Sequence, residues 1–110
     1  MCSDIEILQR FFSLENERNW RDYEAYLSED IEWILNENEK QVVIHGKKSY
    51  LERVRHAYSY TDVKFTIRAI ARCERTNRIV SILESDDGDI SIDVFELSNG
   101  KIAREWEYIL

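Results

Sequence analysis

Near its C-terminus the chain sets Asn99-Gly100 between two runs rich in β-branched and aromatic residues, Asp89 to Leu97 and Lys101 to Leu110. Asn-Gly is the dipeptide that best tolerates two consecutive left-handed residues, and a two-residue hairpin needs them to match the twist of its strands. Such a hairpin sets a register. Ser98 is expected opposite Lys101, Leu97 opposite Ile102, Phe95 opposite Arg104, Asp93 opposite Trp106, and Ser91 opposite Tyr108. Side chains alternate along a strand, so one face then carries Asp93, Phe95, Arg104, Trp106 and Tyr108, and the other carries Ile92, Val94, Glu105 and Glu107. A slip of one residue would reverse this and bring both glutamates beside Asp93. Both faces are partly apolar and both need cover. Helices of the same chain can cover one, and a second subunit is the natural cover for the other.

Upstream of the hairpin the pattern is helical first and extended afterwards, which predicts α+β rather than alternating βαβ. Ser3 followed by Glu6 reads as a capping box, and Ile5, Leu8, Phe11, Phe12 and Glu15 mark one helical face. A short helix is expected over about Asn19 to Leu27, then a strand over Ile31 to Leu35. A polar loop follows from Asn36 to Lys40, and a β run from Gln41 to His45. Gly46 opens a third helix to about Tyr58, with Leu51, Val54 and Tyr58 on one side. Val63 to Cys73 and Arg78 to Glu84 read as strands. With 110 residues, no proline, no repeat and no linker, the chain is expected to be one domain over 1–110.

The formal charge of -7 works against nucleic acid and against anionic membrane surfaces, both of which call for clustered Lys and Arg. No stretch approaches the ~20 apolar residues that span a bilayer. The first residues lack the basic start and apolar run of a signal peptide. Cys2 and Cys73 form no metal or redox motif and read as free thiols, which leads to the expectation of a cytoplasmic protein.

The order helix, helix, strand, Gly-led helix and four strands resembles the nuclear transport factor 2-like superfamily, most of all its SnoaL-like and ketosteroid isomerase-like branch. The resemblance is carried by Asn16 to Tyr26, by Leu27-Ser28-Glu29-Asp30-Ile31-Glu32-Trp33, by His45-Gly46, and by Asp93-Val94-Phe95 followed by Asn99-Gly100-Lys101-Ile102 and Trp106-Glu107-Tyr108. It implies a cone-shaped domain, a cystatin-like α+β roll. Three N-terminal helices would pack on a strongly curved, mixed, mostly antiparallel sheet around a pocket, with a homodimer formed through the convex face. Asp93 falls where that branch carries an oxyanion-stabilising aspartate. Phe11 stands where it carries the oxyanion tyrosine, and Leu35 near its base aspartate. Lacking that hydroxyl and that carboxylate, the chain is not expected to be a standard ketosteroid isomerase.

Among the residues themselves Asp93 is the sharpest candidate, since a carboxyl in an apolar pocket resists ionising and suits acid–base or oxyanion work. The alternative is a structural carboxylate paired with Arg104 or Lys64. Tyr108 and His45 are candidate catalytic helpers. Phe11, Trp33, Tyr58, Phe95, Arg104 and Trp106 are candidate ligand contacts, the aromatics equally readable as core or interface packing. His56 reads as a solvated surface histidine. No cofactor and no metal are expected, since two histidines 11 residues apart make no metal motif. Two functions stay open. One is a non-catalytic dimeric module holding a small, mostly apolar molecule. The other is a cofactor-independent isomerase, cyclase or hydratase using Asp93.

Overall fold

The computed structural model of the chain describes residues 3–110, so Cys2 lies outside the described residues. Helix α1 (Asp4–Glu17) starts on the expected capping box: Ser3 Oγ accepts from the Glu6 N–H at 3.2 Å, and Glu6 Oε1 accepts from the Ser3 N–H at 3.2 Å. It ends where Arg18 turns left-handed at φ 60, held there by its own side chain, which donates to the carbonyls of Glu15, Thr61 and Val63. The second helix is only a turn, α2 (Trp20–Tyr23), continued as a 3₁₀ turn over Glu24–Tyr26. Strand β1 (Leu27–Glu37) therefore begins four residues earlier than its apolar core suggests. It joins β2 (Lys40–His45) through Asn38 and Glu39, both left-handed at φ 52 and 66. The expected loop is thus a second tight hairpin, hidden because Glu39 is no usual turn residue. Helix α3 (Lys47–Ala57) and strands β3 (Phe65–Cys73), β4 (Arg78–Ser85), β5 (Ile90–Ser98) and β6 (Lys101–Ile109) complete the chain.

The six strands form one mixed sheet in the order β2-β1-β6-β5-β4-β3, antiparallel except for the β1–β6 pair. Helices α1 and α3 lie on one face. Leu8, Phe11, Phe12 and Leu14 of α1 and Val54 of α3 meet Ile31, Ile79, Phe95 and Ile102 of the sheet in one core. Each such side chain, fully buried, contributes roughly 1.5–3 kcal/mol. This is the expected α+β roll with three helices on a mixed sheet.

The last hairpin forms at Asn99-Gly100, both left-handed at φ 53 and 76, with Ser98 opposite Lys101 and Leu97 opposite Ile102 as expected. Beyond that the register differs. A bulge at Ala103 puts Glu96 opposite Arg104, Phe95 opposite Glu105, Val94 opposite Trp106 and Asp93 opposite Glu107. One extra residue exchanges the faces of everything after it. The pairing with β1 shifts at the same place, between Leu27 and Glu32. Charge chemistry accounts for the preference. The unbulged register would turn Arg104 inward, and a guanidinium has no neutral form at accessible pH. A glutamate turned inward can take up a proton instead.

Candidate active site

Between the helices and the inner face of the sheet lies a cavity of about 430 Å³. Its wall is largely aromatic and aliphatic: Phe11 and Phe12 from α1, Trp33 and Leu35 from β1, Phe65 from β3 and Leu83 from β4. Against this wall stand four inward carboxyls, Glu15 from α1, Asp93 from β5, and Glu105 and Glu107 from β6. Asp93 and Glu105 are each only 4% exposed, and oxygens of Asp93, Glu105 and Glu107 lie within 4.8 Å of one another.

Each carboxyl is held by a neutral donor. Ser91 Oγ donates to Asp93 Oδ1 at 2.8 Å, and the Tyr50 hydroxyl donates to Glu105 Oε1 at 2.5 Å. Trp33 Nε1 donates to Glu107 Oε1 at 3.1 Å, while its ring packs on Tyr50 with centroids 4.8 Å apart. Across the cavity, Glu15 accepts from Tyr23 at 2.6 Å and from Tyr58 at 2.5 Å. The Arg18 guanidinium covers the outer side of the Tyr58 ring at 4.0 Å. Among the described residues, none of these four acids forms an ion pair with Lys or Arg.

Burial without a cation fixes the electrostatics. Desolvation pushes Asp93 up to about 7, although hydrogen bonds to Ser91 and Glu105 favour its ionised form. Burial, then the charge of Asp93, pushes Glu107 up to about 9. The same two causes hold Glu105 well above the ordinary carboxyl range, against the pull of the Tyr50 hydroxyl. Burial also raises Glu15, with its two tyrosine donors working in the opposite direction. Near neutral pH, Asp93 is thus the sheet carboxyl poised to ionise, beside two that remain acids. The trio also offers oxygens that could hold a hard cation, which would need all three deprotonated.

Four expected site residues line this cavity: Asp93, Phe11, Trp33 and Tyr58. Leu35 lines it too, so the two positions expected to lack isomerase chemistry, Phe11 and Leu35, do face the pocket. Phe95 points inward as expected but is fully buried against Phe12, with centroids 5.6 Å apart, and does not reach the cavity wall. The expected placement of Arg104, Trp106 and Tyr108 beside Asp93 is overturned by the Ala103 bulge, which puts all three on the outer face. There Arg104 pairs with Glu32 at 3.1 Å and Glu96 at 3.6 Å, and Arg78 and Arg104 cover the Trp106 ring at 4.8 and 5.6 Å. Tyr108 is exposed. The alternative ion pair of Asp93 with Arg104 is therefore absent, and Lys64 makes none with it either. His45 stands opposite Glu32 on β2, exposed and outside the cavity. His56 is exposed, as expected.

Glu15 and Tyr50 were not expected in the site, and Glu105 and Glu107 were expected there only on a register slipped by one residue. Glu15 carried a signal: it sits four residues after Phe11 on the apolar face of α1, where a carboxyl has no business unless it is used or satisfied. Tyr50 lies four residues before Val54 and shares its buried face. For the glutamates the signal was the alternation itself, read one residue out of phase.

Comparison with known proteins agrees with this architecture. No curated protein matches the sequence. Among solved structures the chain is similar to Bal32a, from a soil-derived mobile gene cassette, at a TM-score of 0.84 and 14% identity, covering 96% of this chain and 88% of that one. A protein with a cystatin-like fold from Methylobium petroleophilum gives 0.81 at 13% identity, over 96% and 74%. SalBIII, an epoxide hydrolase/cyclase-like enzyme of pyran ring formation in the polyether salinomycin, gives 0.79 at 15% identity, over 97% and 90%. At such identities the likeness is one of fold. A family model for the SnoaL-like domain matches residues 8–105. The chain belongs to the SnoaL-like domain family of the nuclear transport factor 2-like superfamily.

Proposed function

We propose that the cavity is a cofactor-independent acid–base site of the isomerase, cyclase or hydratase class, acting on a small, mostly apolar molecule. The observation that carries this reading is the trio of Asp93, Glu105 and Glu107 on one wall, oxygens within 4.8 Å, with no Lys or Arg paired to them among the described residues. A group titrating near the working pH is the best compromise between being ionised enough to take a proton and basic enough to want it. Asp93, raised to about 7, is that group. Glu107, held up to about 9, keeps its proton when Asp93 has lost one and can donate to a developing oxyanion or leaving oxygen. Base and acid therefore flank the same small volume. Tyr50, Trp33 and Ser91 hold the carboxyl oxygens in place, which lowers the cost of orienting them at each turnover. Phe11 and Leu35, which lack the hydroxyl and carboxylate of a standard ketosteroid isomerase, read as apolar wall beside a different set of acids.

The outer face of the sheet supports the dimer. By alternation it presents Ile34, Val80, Ile82, Ile92, Val94 and Trp106, with no helix of the described residues over them. A second copy of the chain is the cover we assign to it. No helix among the described residues is long and apolar enough to cross a membrane, and the exposed free thiol of Cys73 fits a reducing, cytoplasmic setting.

The acid–base reading is tested with cyclohexenone and cyclohexene oxide in D₂O, followed by proton NMR. Protein-dependent deuterium incorporation at the α or γ carbons, or epoxide opening, is expected to rise through pH 7. Asp93→Asn should lower either rate at least ~100-fold. If neither substrate exchanges or opens, or if the variant retains the rate, the site is not an acid–base catalyst for these classes.

A further inference from the structure

The charge balance of the cavity is lopsided. Six acids line it: Glu15 on α1, Glu37 at the end of β1, Asp89 before β5, Asp93 on β5, and Glu105 and Glu107 on β6. Among the described residues one lining cation stands against them, Arg53 on α3, exposed to solvent. Arg18 acts on Glu15 only from behind the Tyr58 ring. The other arginines near these strands, Arg78 and Arg104, are held on the outer face by Glu96 and Glu32.

Such a wall discriminates by charge. Its titratable groups are nearly all acids, which can supply negative charge but little positive charge, so an anion is disfavoured, while a cation is drawn in by favouring the carboxylate form of the acid it meets. Asp93 and Glu105 are more than nine-tenths buried and lack any cationic partner, a combination that is costly for an ionised carboxyl and is relieved by a cation brought in from outside. The remaining wall supplies the second half of ammonium recognition. Phe11, Trp33, Tyr50, Tyr58 and Phe65 present rings to the same space. An ammonium over a ring face is attracted by the ring's quadrupole, the more strongly once it is desolvated. A hard divalent ion is served less well. It seeks six or more oxygens, and around this trio stand an indole N–H, a phenol O–H and hydrocarbon.

We propose that the cavity takes a small organic cation, a protonated amine or quaternary ammonium on a mostly apolar body, with the ammonium against Asp93 and Glu107 and the body against Phe11, Trp33 and Phe65. This rests on the acid–base reading for the location of the site and adds the charge class of what enters it. Binding has a proton balance: the carboxyl that meets the ammonium gives its proton to solvent and stays as the carboxylate. The groups facing that event are Glu15 across the cavity, Glu105 and the Tyr50 hydroxyl beside it, and Glu37, Asp89 and Arg53 towards solvent.

The test is isothermal titration of the full chain at pH 7 with four probes of one shape: benzyltrimethylammonium, benzylamine, benzyl alcohol and benzoate. Each is run in two buffers of different ionisation enthalpy, and magnesium and calcium chloride are titrated separately. Both cations are expected to bind at least about tenfold more tightly than benzyl alcohol, with proton release that the buffer pair reveals. Asp93→Asn with Glu107→Gln should weaken the cations about tenfold or more and benzyl alcohol by much less, with unchanged far-ultraviolet circular dichroism reporting that the domain is still folded. The proposal is overturned if the alcohol or benzoate binds as well as the cations, if neither cation binds, if binding releases no proton, or if only the divalent ions bind. Cation binding without any deuterium exchange would retain this proposal and remove the acid–base reading; exchange without cation binding would do the reverse.

Discussion

Replacing Asp93 by asparagine should make the fold less sensitive to rising pH, because the native structure keeps a carboxyl where ionisation is penalised. The ordinary value is 3.8 and the folded value about 7. Below pH 4 the carboxyl is protonated in both folded and unfolded chains, and the penalty is absent. Between pH 4 and 7 the unfolded chain ionises while the folded chain does not, so stability falls as pH rises. Above 7 the loss levels off. A rise of roughly three pH units corresponds to about 4 kcal/mol in full, of which about 3 kcal/mol is lost between pH 5 and 8. The asparagine side chain has nothing to ionise, and its neutrality also removes the charge that helps raise Glu105 and Glu107. Urea unfolding followed by tryptophan fluorescence at pH 5, 6, 7 and 8 measures both proteins. The wild type is expected to lose stability across this range by about 3 kcal/mol more than Asp93→Asn. Parallel pH profiles for the two proteins would refute the reasoning, since they would show Asp93 ionising freely in the folded state.

Tyr50→Phe removes the hydroxyl that Glu105 accepts in a buried site and should cost about 1–2 kcal/mol in urea unfolding at pH 7; a cost near zero would mean that water takes over the bond. Gly100→Ala should cost about 1 kcal/mol through the backbone alone, because φ is +76 while an added Cβ would meet only Ile7 Cδ1 at 3.7 Å, an ordinary contact. A much larger loss in the same unfolding assay would point to steric clash instead. Ile92→Lys combined with Val94→Lys should convert a dimer to a monomer in sedimentation velocity without changing the far-ultraviolet circular dichroism; a wild type that sediments as a monomer removes the outer-face interface.

The fold was legible because its strongest signals are local. Ser3 with Glu6 sets the start of α1, and Asn99-Gly100 sets the last turn, each through backbone requirements that few residues meet. The site was only half legible. Asp93 was found because a carboxyl amid Val94 and Phe95 violates the pattern of its strand. Glu105 and Glu107 were assigned to the wrong face because a bulge at Ala103 leaves no mark in alternation: Ala103 has no positive φ, and the pairing with β1 shifts at the same place. Arg104, Trp106 and Tyr108 went wrong for the same reason. Reading them as pocket residues carried the unbulged hairpin register along the whole strand, and the structure departs from it one residue before Arg104. Local rules are most often broken where a site requires it.

One bulge gathers Asp93, Glu105 and Glu107 on a largely buried wall that resists their ionisation, and everything proposed for the cavity depends on that. Carbon-13 NMR of the side-chain carboxyl carbons, titrated from pH 3 to 10, measures it residue by residue. Asp93 is expected to titrate near 7 and Glu107 near 9, with Glu105 well above the ordinary carboxyl range. Midpoints in the ordinary range of about 4 for all three would contradict it.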